Sequence, residues 1–320
     1  MKYIGSIGEV LIDFIAQERQ QKDSVATFLK LPGGAPANFA VGIARLGAKV
    51  RFFGKVSDDP FGQFLVKKLA EEGVGIENLV TAKNGEKTSL AFVFLNASGE
   101  RSFLFYRENA ADAALTPEEL DPLLFKDLQY LHFGVISLLS EPSKSATFKA
   151  IEYCKNNGGV ICFDPNIRKD LLRNEEEFRA LLNAALQTVD IFYPSEEELT
   201  FILDRKMPPQ EAILEIMANY PLKIVALKLG KDGCLLKSRD GFFSTIPSFE
   251  VPVVDTTGAG DGFNAGFIFG LSQGMSLEEA GILGNAVGAL VVGKKGAMTA
   301  LPTLTELKAF LTAQKIQILK

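Results

Sequence analysis

From about residue 114 onward the chain alternates short, almost wholly apolar runs with longer amphipathic stretches. The apolar runs fall at 128–135, 159–164, 189–193 and 224–229. Runs this short and this apolar fit parallel strands covered on both faces. Between them, 143–156 and 175–187 carry apolar residues at helical spacing and are long enough to be crossover helices. Strand, helix and parallel strand in succession form the βαβ rhythm, so the pattern predicts a doubly wound α/β sheet.

Helix starts are marked along the same stretch. Thr116 with Glu119, Ser195 with Glu198, Ser276 with Glu279 and Thr303 with Glu306 all have the spacing of a capping box. Pro36 and Pro60 fit the first turn of a helix, where a missing N–H costs nothing.

Residues 14–32 and 87–106 break the rhythm, because apolar and polar residues alternate there. The strands at 89–95 and 100–106, joined by Asn96-Ala97-Ser98-Gly99, read as a β-hairpin. Half-buried strands do not belong inside a doubly wound sheet. They predict a small β-sheet lid of residues 14–32 and 87–106 over a core of residues 1–13, 33–86 and 107–320. The competing expectation is an antiparallel extension of the main sheet.

Composition narrows the chemistry. At 47% hydrophobic and 23% charged, the 320 residues can fill the core of one large domain with an appendage. With 34 basic and 39 acidic residues the net charge is −5, which gives no long-range pull on nucleic acid or an anionic membrane. No stretch approaches the ~18 apolar residues of a membrane span. The first residues show no apolar h-region, and Cys154, Cys162 and Cys234 form no close pair. Both features predict a cytoplasmic protein with reduced, buried cysteines. His132, the only histidine, lies in an apolar run; a core or sheet-edge place is expected for it, and a histidine triad or multi-histidine metal site is excluded.

In an open parallel sheet, ligands bind beyond the carboxyl ends of the strands. Charged and glycine residues gather there: Asp164 to Arg168, Pro194 to Glu198, and Gly230 to Gly233. The most informative segment is Asp255-Thr256-Thr257-Gly258-Ala259-Gly260-Asp261-Gly262-Phe263-Asn264-Ala265-Gly266-Phe267, which follows a strand-like stretch at 250–254 and opens an apolar helical run to Leu271. Glycines let backbone approach a ligand, and the open amides of a helix N-terminus favour an anion such as phosphate. Asp261 then has two readings. It is a first-turn charge worth about 0.3–1 kcal/mol, or a base set beside an anion hole to take a proton from an attacking hydroxyl. A Walker A loop and a dinucleotide fingerprint are both absent from the sequence.

A second cluster, Gly33-Gly34-Ala35-Pro36-Ala37-Asn38, sets two glycines before a helix and Asn38 in its first turn. Asp13 closes the apolar run Val10-Leu11-Ile12. Asn38 and Asp13 fit either local backbone capping or a pair of polyol hydroxyls.

These clusters, in this order and separation, resemble the two signatures of the ribokinase/PfkB family of carbohydrate kinases: residues 33–47 the N-terminal one, 255–267 the C-terminal one. Gly8 to Asp13, Gly33 to Asn38, Phe105-Tyr106-Arg107 with Ala111-Asp112, and Asp164 to Arg168 look most like its fructokinase branch. The resemblance implies a ribokinase-like three-layer α/β/α domain with a mostly parallel central sheet and a small β-sheet lid. It implies transfer of the γ-phosphoryl of MgATP to the terminal hydroxyl of a ketohexose, D-fructose giving fructose 6-phosphate.

The same resemblance implies roles. Asp261 would be the base, and Gly258, Ala259 and Gly260 the anion hole. Asp13, Gly33, Gly34 and Asn38 would grip the sugar, with Arg107 reaching from the lid and Arg168 near sugar or phosphates. Lys228, Gly230 and Gly233 would border the nucleotide, with Asn285 and Ala289 at its base. Asp255 and Thr257 would serve a monovalent cation, K⁺. Many members carry Asn where this chain has Ser195, so Glu198 has two readings: a water-mediated Mg²⁺ contact, or only the capping partner of Ser195. Rival expectations are a 2-keto-3-deoxygluconate kinase, with Arg107 and Arg168 facing the acid, and a non-catalytic sugar-sensing relative. Lids in the family often pair, so a homodimer through Phe92, Phe94, Phe103 and Phe105 is expected, with packing inside one chain as its alternative.

Overall fold

A computed structural model describes residues 2–18, 22–95, 101–171 and 174–319. The strands are β1 (Tyr3–Ile7), β2 (Leu11–Ala16), β3 (Phe28–Gly33), β4 (Val50–Val56), β5 (Gly75–Thr81), β6 (Leu90–Leu95), β7 (Arg101–Tyr106), β8 (Leu128–Gly134), β9 (Val160–Asp164), β10 (Ile191–Phe192), β11 (Ile224–Lys228), β12 (Cys234–Ser238) and β13 (Phe243–Ile246). The α-helices are α1 (Ala35–Arg45), α2 (Pro60–Glu71), α3 (Ser143–Asn156), α4 (Glu175–Leu186), α5 (Glu196–Leu203), α6 (Pro209–Asn219), α7 (Ala259–Ser272), α8 (Leu277–Val292) and α9 (Leu304–Ala313).

Nine strands form one sheet in the order β13-β12-β11-β10-β9-β8-β1-β4-β5. Every pair from β11 to β5 is parallel, and the pairs β11–β12 and β12–β13 at one edge are antiparallel, so β12 alone runs against the rest. The four apolar runs are β8 to β11. Their side chains alternate between two cores, one on each face of the sheet. Phe52, Tyr130, Cys162, Ile191 and Ala226 join the core that holds α1, α2 and α7 to α9. Phe53, Leu131, Ile161, Phe192 and Val225 join the core that holds α3, α4 and α6. Two apolar faces on one sheet demand helices on both, which is the three-layer architecture expected.

The second sheet, ordered β3-β2-β6-β7, is separate from the first. The hairpin has the expected antiparallel register, Leu90 opposite Tyr106 and Phe92 opposite Leu104. Its turn at 96–99 lies outside the described residues. The period of two sends Phe103 and Phe105 to one face, where they line a cavity. Phe92 and Phe94 turn to the other face, in an aromatic cluster with Phe14 and Phe28.

Three local expectations need correction. Residues 250–254 form no strand: Val254 only donates its amide to Val292 (2.8 Å), and Val253 and Val254 stay exposed. A short apolar run has no period long enough to tell a strand from a surface segment. Thr116 and Glu119 do form a capping box, but it opens a single 3₁₀ turn, Pro117–Glu119. Asp13 sits in the middle of β2, in the small sheet, rather than at the end of a strand. The other three capping boxes stand at the starts of α5, α8 and α9. The three cysteines are free and buried. His132 is buried in the sheet, stacked on Phe39 and 3.0 Å from the Tyr193 hydroxyl, and desolvation lowers its pKa to about 3. No helix among the described residues is long and apolar enough to cross a membrane.

Candidate active site

The site gathers where α7 begins. Gly258, its N-cap, has φ +76°, and a Cβ there would come within 2.7 Å of the Ala297 Cα, so only glycine fits. The first intrahelical bond runs from the Gly262 amide to the Gly258 carbonyl (2.8 Å), and the Ala259 amide turns back to Thr256 (3.3 Å). The amides of Gly260 and Asp261 therefore have no intrahelical acceptor. Glycines at 262, 266 and 270 let α7 lie against α8 almost backbone to backbone, which holds its axis and hence its open end.

Asp261 faces a cavity of about 470 Å³ between the two sheets. Asp13, Gly34, Asn38, Arg168, Glu198, Lys228, Gly230, Thr257, Gly258 and Gly260 line the same cavity. Asn38, 4% exposed, donates from Nδ2 to Asp261 Oδ2 (2.8 Å). Its own Oδ1 is buried without a partner. Desolvation lifts the Asp261 carboxyl to about 6, although the Asn38 bond works downward. Desolvation and the Asp261 charge lift Asp13 to about 7, and Arg168 opposes that.

Glycines shape this end too. A Cβ at Gly33 would overlap Asp13 Oδ2 at 2.0 Å, so Gly33 makes room for that carboxylate without lining the cavity itself. Gly34 has φ +101° and passes the Glu9 carbonyl, which a Cβ would approach to 2.5 Å. Glu9, 2% exposed, accepts from the Ala35 amide (3.2 Å) and keeps Oε2 buried without a partner. Burial raises its carboxyl to about 7.

At the carboxyl ends of β9 and β11, Asp164 accepts from Lys228 Nζ (2.7 Å) and from Asn264 Nδ2 (2.5 Å). Desolvation opposes the pair, yet its mutual charge keeps Asp164 below and Lys228 above their ordinary values. Glu198 satisfies its capping box with Ser195 and also accepts from the Ile167 amide (2.9 Å) while lining the cavity. Both readings of Glu198 thus remain geometrically compatible. Three donors leave a carboxylate one further acceptor position, enough for a water.

A second cavity of about 460 Å³ adjoins the first and shares Lys228, Gly230, Thr256 and Gly260 with it. Gly233, Ala259, Phe263, Asn285, Ala289 and Val292 line it. Asn285 donates to the carbonyls of Ile246 and Pro247 (3.0 Å each), fixing the β13 end of the slot.

One expected contact is arranged differently. Arg107 does not line the Asp261 cavity; its Nε and Nη2 donate to Asp112 Oδ2 (2.8 and 2.6 Å), and Asp112 also accepts from Ser89. Asp255 accepts from the Thr257 amide and hydroxyl (2.9 and 2.6 Å) and from the Gly296 amide (2.9 Å), so its carboxylate ties two loops together. Glu9, Asp164 and Asn264 lie in segments that the sequence marked, but none of them was given a role there. Asp164 ends a buried strand at the ligand edge, and Asn264 is a polar residue in an apolar helix; those were the available signals.

A doubly wound sheet with an open helix end beside a carboxylate, and two adjoining cavities, has the form that phosphoryl transfer between two small ligands requires. The family model for pfkB family carbohydrate kinases matches residues 1–304. The chain is 40% identical over 317 residues to a probable fructokinase-2 of Arabidopsis thaliana, covering 97% of this chain and 95% of that one. Its fold is similar to that of a fructokinase from Xylella fastidiosa with bound ATP, at TM-score 0.88 and 32% identity over 98% and 99% of the two chains. It is also similar to a fructokinase from Vibrio cholerae O395 in a fructose, ADP and calcium ion bound form, at TM-score 0.85 and 34% identity over 97% and 99%. The chain belongs to the pfkB family of carbohydrate kinases. It is a phosphotransferase with an alcohol acceptor.

Proposed function

We propose that the protein phosphorylates the terminal hydroxyl of D-fructose with ATP, giving fructose 6-phosphate, and that Asp261 is the base. The observation that carries this reading is the position of Asp261, beside the open amides of α7 and held by Asn38, in one cavity with Asp13. The Asp261 carboxylate takes the proton of the hydroxyl, the alkoxide oxygen bonds to the γ-phosphorus, and the bond to the β-phosphate oxygen breaks as ADP leaves. The open amides of Gly258, Gly260 and Asp261 would meet the charge that develops on the phosphoryl oxygens, with Ala259, whose amide is held by the Thr256 carbonyl, shaping the turn between them.

Asp13, Gly34 and Asn38 supply acceptors and backbone for the sugar, with Gly33 keeping Asp13 in place. Arg168, whose guanidinium lies 5.1 Å over the Phe103 ring, joins this wall to the small sheet. That sheet acts as a lid and excludes water. Lys228, Gly230 and Gly233 border the nucleotide phosphates, and the slot at Asn285 and Ala289 takes its base. Mg²⁺, bound mostly by phosphates and water, would meet Glu198 through a water and neutralise phosphate charge. The Asp255 and Thr257 loop, tied to Gly296, would host K⁺ through its backbone. Phe103 and Phe105 line the cavity, and Phe92 and Phe94 pack on Phe14 and Phe28, so these four follow the within-chain alternative; the exposed Leu104 and Tyr106 on the outer face of the lid would instead serve a homodimer. Free, buried cysteines support a cytoplasmic setting.

An acid-lined cavity disfavours a 2-keto-3-deoxygluconate substrate. Glu9, Asp13 and Asp261 all face it, Arg107 is held by Asp112 and Lys228 by Asp164, which leaves Arg168, among the described residues, as the one cation of the lining for such an acid. Intact Gly258, Gly260 and Asp261 disfavour a non-catalytic sugar sensor. ADP release with fructose, ribose, adenosine and 2-keto-3-deoxygluconate offered side by side tests the reading. Fructose is expected to give the highest kcat/KM, and a higher value for any of the others replaces it as substrate.

A further inference from the structure

Asp164 is 3% exposed, ends β9 and reaches across β10 to the end of β11. Its Oδ2 takes the Lys228 ammonium (2.7 Å) and the Asn264 amide (2.5 Å), and its Oδ1 takes the Asn166 amide (3.1 Å). Asn264 stands one helical turn after Asp261 in α7, so the same carboxylate ties the lysine to the helix that carries the base, and the lysine is the part it positions.

The geometry is more specific than that of a core ion pair. Lys228 lines both cavities, and a Cβ at Gly260 would lie 3.5 Å from its Nζ. An ammonium has three donors. Among the described residues, Asp164 is the one hydrogen-bond acceptor of Nζ, which leaves two N–H groups for whatever enters between the cavities. A lysine stem is flexible, so a charge at a fixed point needs an anchor.

We infer that Asp164 is a positioning residue that, through Lys228 and Asn264, holds an ammonium over the first turn of α7 for the phosphoryl group in transfer. The inference rests on the kinase reading above, with Lys228 as the cation on the phosphate side.

Asp164→Asn keeps the shape and one acceptor but turns an N–H₂ group toward donors. Turnover, KM for sugar and ATP, and affinity for a non-hydrolysable ATP analogue by calorimetry are to be measured for D164N, K228M and the double variant, with thermal melting as a check on folding. D164N is expected to lower kcat about 10- to 100-fold while KM for sugar stays within about threefold. In the K228M background the same change is expected to cost less than about threefold, because its effect runs through the lysine. Should D164N fail to fold, Asn264→Ala takes its place, with an expected loss of about 3- to 10-fold in kcat that again vanishes beside K228M. K228M with parental turnover and analogue affinity overturns the reading of Lys228, and this inference with it. An impaired K228M beside a D164N within about twofold of the parent, or a full D164N loss on top of K228M, overturns the inference alone.

Discussion

Asn38 and Asp261 are 223 positions apart, and the amide of one donates to the carboxylate of the other over 2.8 Å. Each comes from the first turn of a helix, α1 and α7. Both helices lie in the same core, so their packing delivers the pair without any flexible connection. The bond aims one carboxylate oxygen and leaves the other for a ligand.

Asp261→Asn keeps the shape and removes the carboxylate proposed as the base. Turnover with fructose is expected to fall by on the order of 10³, within the usual range for a general base. Sugar affinity measured by calorimetry should stay within a few-fold. Near-parental turnover would remove Asp261 from the chemistry.

Gly33→Ala acts on the sugar alone. Its Cβ would sit 2.0 Å from Asp13 Oδ2, and neither backbone can yield easily, because Gly33 pairs with Leu11 and Asp13 with Leu31. The carboxylate must turn away. KM for the sugar is expected to rise more than about tenfold, with KM for ATP unchanged. Equal increases in both would show that the substitution disturbs the whole fold.

Proton uptake gives a pH dependence with a defined sign. Glu9 and Asp13 titrate near 7 and Asp261 near 6 in the folded protein, all above their ordinary values. For these three carboxyls the folded state holds protons that the unfolded chain has released, so stability falls as pH rises through these values; His132, with its lowered pKa, works the other way but is one group against three. The Tm of the ligand-free protein is expected to be higher at pH 5.5 than at pH 8, conditions bracketing the raised pKa values. The rate runs the other way: kcat/KM should climb with pH through about 6 as Asp261 loses its proton. A Tm that rises with pH across this window would contradict the raised values.

Arg107→Ala is expected to act on stability. The pair Arg107–Asp112 is nearly buried, with side chains 11% and 2% exposed. Removing the arginine leaves a buried carboxylate with Ser89 as its one hydrogen-bond partner among the described residues, at a cost of about 3 kcal/mol. Chemical denaturation measures this directly. Unchanged stability together with a large loss of sugar affinity would return Arg107 to the sugar.

Much of the scaffold was legible because it is written in local periods. Four apolar runs could bury both faces only as central strands, and the capping boxes at Ser195, Ser276 and Thr303 fixed where helices begin. The glycines around Gly258 announced an open helix end, and Asp261 stood out because a negative charge there needs a reason. Alternation also separated the lid strands from the core strands. Residues 250–254 misled because five apolar-rich positions carry no period that distinguishes a strand from a segment lying over a cavity.

Contacts between distant residues were beyond any such pattern. Lys228 meets Asp164 across 64 positions and Asn264 meets it across 100. Arg107 turns to Asp112 instead of the cavity, and Glu198 serves Ser195 and Ile167 at once. The sequence by itself determined which segments must be buried and which residue types stand at the ligand edge, because burial and capping depend on near neighbours. Only the tertiary structure decided which charges face one another, because strand order and helix packing choose the partner of each desolvated group.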